Sequence, residues 1–157
     1  MKDITTVGEI LIDLTQTGVS GAGVPLFAAN PCGAPANVAV AASRLGASTA
    51  FIGKIGRDQL GAYLRQVLER DRVDCSGLRA SAQPTTMAIV AVDSTGERSF
   101  QFIRGADCEL SPDEINERAL CQSKFLHFGS VFLNRGLARN GTIFCARSAR
   151  LEGVLVR

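Results

Sequence analysis

Cys32-Gly33-Ala34-Pro35-Ala36-Asn37-Val38-Ala39-Val40-Ala41-Ala42 decides how this chain is read. A glycine turn runs into an alanine-rich helix, with proline near the first helical position and an asparagine in the first turn. Glycine lets backbone approach another molecule closely, and the start of a helix offers free N–H groups. Asn37 can donate and accept at once. That combination suits a small polar ligand such as a sugar, whose hydroxyls need both.

Outward from this stretch, strands and helices alternate. Residues 6–14 read as a buried strand, 35–45 as a helix stopped by Gly46, and 48–55 as a second core strand. In residues 58–70, Leu60, Tyr63, Leu64, Val67 and Leu68 recur at i, i+3, i+4 spacing and give one apolar helical face. Ser111-Pro112-Asp113-Glu114 carries an N-cap serine, a first-turn proline and a glutamate three residues on, which predicts a short helix. A strand over 124–130, a helix over 139–151 and a strand over 154–156 complete the series. Alternation of this kind predicts an α/β fold with a mostly parallel sheet covered by helices. Residues 85–92 and 98–104 break the rhythm as two β-rich runs joined by Asp93-Ser94-Thr95-Gly96-Glu97, the pattern of a hairpin. With the small-residue stretch 15–31, read as loop or short strands, they are expected to form a lid over the strand ends, where open α/β sheets bind ligands.

Composition narrows the function classes. The 157 residues are 46% hydrophobic and 20% charged, with 17 basic and 15 acidic side chains, as for one ordinary globular domain. No basic block interleaved with aromatics marks a nucleic-acid partner, and no uncharged apolar stretch is long enough for a membrane span, since Glu9 and Asp13 interrupt the apolar start. Five cysteines at irregular spacing, without CxxC, form neither a disulfide framework nor a zinc site; reduced thiols in a cytoplasmic protein are the plain expectation. The single histidine, His127, sits in Phe125-Leu126-His127-Phe128, where a packed strand histidine is a plainer reading than a catalytic base.

Five segments in order, VGEILIDL, CGAPANVAVAASRLG, FIGKIGRDQLG, the hairpin ending GERSFQFIRGAD, and FLHFGS, resemble the amino-terminal part of the PfkB (ribokinase-like) carbohydrate kinases, with fructokinases and 2-keto-3-deoxygluconate kinases as the nearest subgroup. The resemblance covers all 157 residues but only about the first half of a family member. It implies a ribokinase-like, Rossmann-like sheet with a small β-hairpin lid formed by segments at about 15–31 and 85–104. It also implies transfer of phosphate from ATP, with Mg2+, to a sugar hydroxyl. On this sequence it assigns sugar contacts to Asp13, Gly33 and Asn37, and to Arg104, which matches an arginine that reaches acidic or hydroxyl groups of keto-sugars. A turn aspartate, a tight strand-to-helix connection and a solvated arginine are the plain structural alternatives. Phe100 and Phe102 alternate with polar neighbours and would either wall the sugar or pack the lid against the sheet or a second subunit.

The chain departs from the family pattern at Cys32, where a first glycine is usual, and at Arg135, where an acidic residue followed by proline is common. The machinery that the resemblance would place later, a GAGD-type box, an NxxE motif and a nucleotide pocket, has no counterpart in residues 1–157. Val24 follows Gly21-Ala22-Gly23 where the aspartate of such a box would stand, and no GxxxxGK[ST] loop is present. Residues 153–157 begin a strand that in the family continues. The expectation is therefore a truncated, sugar-binding half without the nucleotide-binding half, inactive alone, with an unpaired sheet edge and exposed apolar helix faces. A non-catalytic sugar-binding or oligomerisation module is the alternative from another class, and a nucleoside kinase the rival substrate class. A homodimer through the lid hairpin is also expected.

Overall fold

The computed structural model describes residues 1–92, 97–134 and 136–157. The tip of the expected hairpin, residues 93–96, and Arg135 lie outside the described residues. Among the described residues, nine strands fall into two sheets. The first is parallel throughout: β5 (Asp74–Ser81), β4 (Thr49–Gly56), β1 (Lys2–Val7), β8 (Ser123–Phe128) and β9 (Leu155–Val156), in that spatial order. The second runs β3 (Pro25–Cys32), β2 (Leu11–Val19), β6 (Met87–Val92) and β7 (Arg98–Ile103); its β2–β3 and β6–β7 pairs are antiparallel and its β2–β6 pair is parallel.

Period-two alternation divides the parallel sheet between two cores. Phe51 packs with Ala36, Ala39, Leu64 and Leu68 of α1 (Ala34–Arg44) and α2 (Gln59–Arg70) on one face. Its neighbour Ile52 packs on the other face with Leu120 of α3 (Glu117–Cys121) and with Ala138, Cys145 and Ala149 of α4 (Gly136–Leu151). Strands covered on both sides carry near-continuous apolar runs, as Phe51, Ile52 and Ile55 do.

Local chemistry fixes the helix starts. Gly33 precedes α1 at φ +124, where a Cβ would collide with the Glu9 carbonyl oxygen, so only glycine fits this turn. Asp58 caps α2, its Oδ1 accepting the Gly61 N–H at 2.7 Å. The expected helix at Ser111 is a single 3-10 turn, Pro112–Glu114, in which Glu114 Oε2 accepts the Ser111 N–H at 3.1 Å. The same carboxylate holds the buried Lys54 ammonium at 2.7 Å, which ties the turn to β4.

The structure departs from or refines the sequence reading in four places. The strand expected over residues 6–14 is two strands in different sheets, parted at Gly8, whose φ of +152 lets the chain leave β1 for β2. Of the loop or short strands expected over residues 15–31, the structure has strands, which join the hairpin strands in a four-stranded sheet, because residues 11–19 and 25–32 pair along their length with one irregularity between Gln16 and Gly18. Strand β5 was not anticipated: its sequence, DCSGLRAS, lacks an apolar pattern and it pairs on one side only. Helix α4 also starts three residues earlier than expected, at Gly136.

Candidate functional site

Chain order around β1 defines where a ligand can lie. From β1 the chain builds outward to β4 and β5 on one side and later returns to add β8 and β9 on the other. Such a switch point leaves a crevice beyond the carboxyl ends of the central strands, here the ends of β1 and β8 at Val7 and Phe128. Glu9 follows the first and Val131 the second, and both line a cavity of about 140 Å³ with Leu11, Asp13, Cys32, Gly33, Ala34, Phe100, Phe102 and Arg104.

Four crossings between the sheets bring these side chains together. Asp13 lies on β2, opposite Asn30 of β3 and Ala88 of β6. Gly33 is the step from β3 into α1. Phe100 and Phe102 project from the same side of β7, their rings stacked at 6.3 Å and 15° and about half exposed. Arg104 follows β7 with its guanidinium 4.4 Å from the centre of the Phe102 ring. The structure thus gathers Asp13, Gly33 and Arg104 at one cavity, with the two phenylalanines as its apolar wall.

Asn37 is placed differently. Its side chain is exposed and lines a larger cavity, about 290 Å³, on the flank between α1 and α2, with Tyr63, Val67 and the Arg44–Asp71 ion pair. Cys32 borders both cavities. Burial pushes its thiol upward from the ordinary range, the adjacent Asp13 adds to that, and Asn37 opposes it. The thiol is therefore protonated at neutral pH, at the border of the two cavities. The flank cavity is the larger, yet it lies away from the strand ends, and its Arg44 and Asp71 charges are already matched in a two-pronged pair at 2.8 Å.

Two acids that sequence reasoning passed over complete the site. Glu9 is 3% exposed; Oε1 accepts the Ala34 N–H at 3.2 Å and Oε2 has no protein partner. Burial, above all, pushes its carboxyl pKa up. Asp107 is fully buried, bonded to the Thr86 hydroxyl and 3.4 Å from Arg104 Nη1. The signal for Glu9 was a lone acid inside an apolar run; none marked Asp107, whose partner Thr86 is 21 residues away.

Glu9 also decides what the start of α1 can hold. A helix amino terminus normally suits a phosphate, but here an acidic side chain already occupies the Ala34 N–H. A phosphate there would have to displace the Glu9 carboxyl. Among the described residues there is also no group of three or more His, Cys, Asp or Glu side chains that could hold a metal ion. Among the described residues, neither the start of α1 nor the acids around it fits a nucleotide phosphate or a bound Mg2+. Among the described residues no helix is long and apolar enough to cross a membrane.

Known proteins share this architecture. The chain is 40% identical to a probable fructokinase-7 of Arabidopsis thaliana over 98% of its own length and 46% of that protein. A fructokinase from Xylella fastidiosa superposes with a TM-score of 0.92 at 32% identity, over 99% of this chain and 50% of that one. The Xylella fastidiosa fructokinase solved with bound ATP superposes at 0.90 with 30% identity, over 99% of this chain and 48% of that one. The chain thus spans about half the length of the relatives it matches. The pfkB family carbohydrate kinase pattern matches residues 1–154, and with this fold and this crevice the chain belongs to that family.

Proposed function

We infer that the cavity beyond β1 and β8 binds a free sugar, and that the chain supplies the acceptor side of an ATP-dependent, fructokinase-like phosphorylation of a sugar hydroxyl. The convergence of Asp13, Gly33 and Arg104 from three separate segments carries this reading. Asp13 accepts hydrogen bonds from hydroxyls and Arg104 donates to hydroxyl or carbonyl oxygen. The Gly33 turn admits the ring close to backbone, and the phenylalanine pair covers its apolar face. Asn37 lies beyond Cys32 on the flank cavity and is not part of this set. At about 140 Å³ the cavity is smaller than the ~300 Å³ at which ligand pockets usually begin, which supports a half-site completed by further structure. The fructokinase relatives and their ATP complex support the reaction class.

Phosphoryl transfer needs a base at the acceptor hydroxyl and groups that stabilise the charge on the phosphate. Asp13 and Glu9 lie where they bind and position, and the family's GAGD-type box has no counterpart among the 157 residues. The 157-residue chain on its own binds sugar weakly and transfers no phosphate. Sugar-dependent ADP release by the purified chain would contradict this. A thermal-shift series with fructose, ribose, 2-keto-3-deoxygluconate and adenosine tests the substrate class, since a ligand that binds only the folded state raises its melting temperature. Fructose is expected to give the largest rise, and adenosine alone giving one would favour a nucleoside kinase. The exposed Val19, Val24, Leu26 and Phe27 of the lid suit a homodimer through that sheet. Sedimentation of native and Phe27→Asp chains checks this, the variant being monomeric.

A further inference from the structure

Arg104 does not meet the cavity as a free cation. Its guanidinium rests over the Phe102 ring at 4.4 Å and pairs with Asp107 at 3.4 Å. Asp107 cannot swing away: it is fully buried, and its Oδ1 takes the Thr86 hydroxyl, whose oxygen in turn accepts the Gly105 N–H at 2.8 Å. The chain of bonds joins the turn after β7 to the start of β6 and locks the carboxylate beneath the arginine. A Cβ at Gly105 would collide with the Pro84 carbonyl oxygen, so this turn has no slack. Among the described residues lining the cavity, Arg104 is the sole cation and stands beside Glu9 and Asp13. An anionic ligand would therefore gain little from the arginine and would meet acids on the other sides. A neutral hydroxyl or carbonyl oxygen can still accept from the guanidinium N–H groups that face the cavity.

We propose that Asp107 is a specificity-determining positioning residue: it fixes Arg104 against Phe102 and cancels its charge, so that the cavity accepts a neutral ketose and turns away the corresponding sugar acid. The inference rests on the sugar-site reading and refines it. Two ligands separate the failures. 2-Keto-D-gluconate is fructose with its C1 hydroxymethyl group oxidised to a carboxylate, so it changes charge at nearly constant shape. Dissociation constants from saturation-transfer NMR should be at least tenfold lower for fructose than for 2-keto-D-gluconate in the native chain. Asp107→Asn keeps an acceptor for the Thr86 hydroxyl and removes the charge; the ratio should shrink by roughly tenfold, the scale of one partly screened charge at this distance. Arg104→Gln, a change at a half-exposed side chain, should widen the ratio and serves if Asp107→Asn does not fold. Equal native affinities overturn the proposal and leave the sugar site standing. A folded Asp107→Asn with an unchanged ratio, or a narrowed ratio in Arg104→Gln, overturns it as well. Binding of neither ligand overturns it together with the sugar-site reading.

Discussion

The two sheets use similar residues to opposite ends. In the parallel sheet Phe51 is fully buried between β4 and the α1–α2 face, and its neighbours fill a second core on the far side. In the lid sheet Phe27, Phe100 and Phe102 remain 47%, 53% and 48% exposed. An aromatic ring walled in on all sides contributes mainly to stability, whereas one that keeps a free face is available to a ligand or a second subunit. The parallel sheet is the scaffold. The second sheet carries most of the side chains that line the candidate cavity, and the joints between the sheets hold the buried Glu9 and Asp107 and the part-buried Asp58.

The contrast can be broken most readily with Phe51→Ala, which should cost about 3–5 kcal/mol in urea unfolding. Phe100→Ala should cost under ~0.5 kcal/mol and instead weaken fructose binding. Equal losses of stability would erase the distinction between scaffold and lid.

Asp58 sharpens the comparison at a joint. Burial works against its charge, but bonds from the Thr85 N–H and hydroxyl and the Gly61 N–H, each at 2.7 Å, outweigh it and hold the carboxyl below its ordinary 3.8. A carboxyl that ionises more readily when folded stabilises the fold above its ordinary pKa, and that contribution is lost as pH falls through the lower folded value. Asp58→Asn keeps a good N-cap and removes the charge; a loss of about 1–2 kcal/mol at pH 7 that fades as pH falls below the ordinary 3.8 is expected from urea titrations across that range. A loss that does not change with pH would contradict the assignment.

Glu9 predicts the opposite sign and a smaller effect. Its carboxyl is raised above the ordinary 4.5, with burial the chief cause, so the unfolded chain releases this proton first. The native chain therefore loses stability as pH climbs from the ordinary value towards the folded one. Glu9→Gln can still accept the Ala34 N–H, and relative to native it should gain stability as pH rises from 4 to 7. Unfolding curves at the two pH values check the sign, and a relative loss on going to pH 7 would refute it.

Much of the scaffold was legible because its signals are local. The proline and glycine bounding α1 and the apolar spacing of Leu60, Leu64 and Leu68 each act within a few residues. What was missed depends on pairing at a distance. Nothing in residues 6–14 except Gly8 marks the passage from one sheet to the other, and β5 is recognisable only beside β4. The site divides in the same way: Asp13, Gly33 and Arg104 stood out through their motifs. Glu9 and Asp107 acquire meaning from Ala34, 25 residues off, and from Thr86, 21 residues off. Asn37 shows the converse, a residue marked by its motif whose side chain lines the flank.

The most direct test of the central claim is a map of amide shift changes in the isotope-labelled chain during a fructose titration, since two cavities compete for the ligand. The account predicts changes clustered at Asp13, Gly33, Phe102, Arg104 and Gly105, with Tyr63, Val67 and Arg70 on the flank unmoved. Changes centred on the α1–α2 flank, or none at the strand ends, would contradict it.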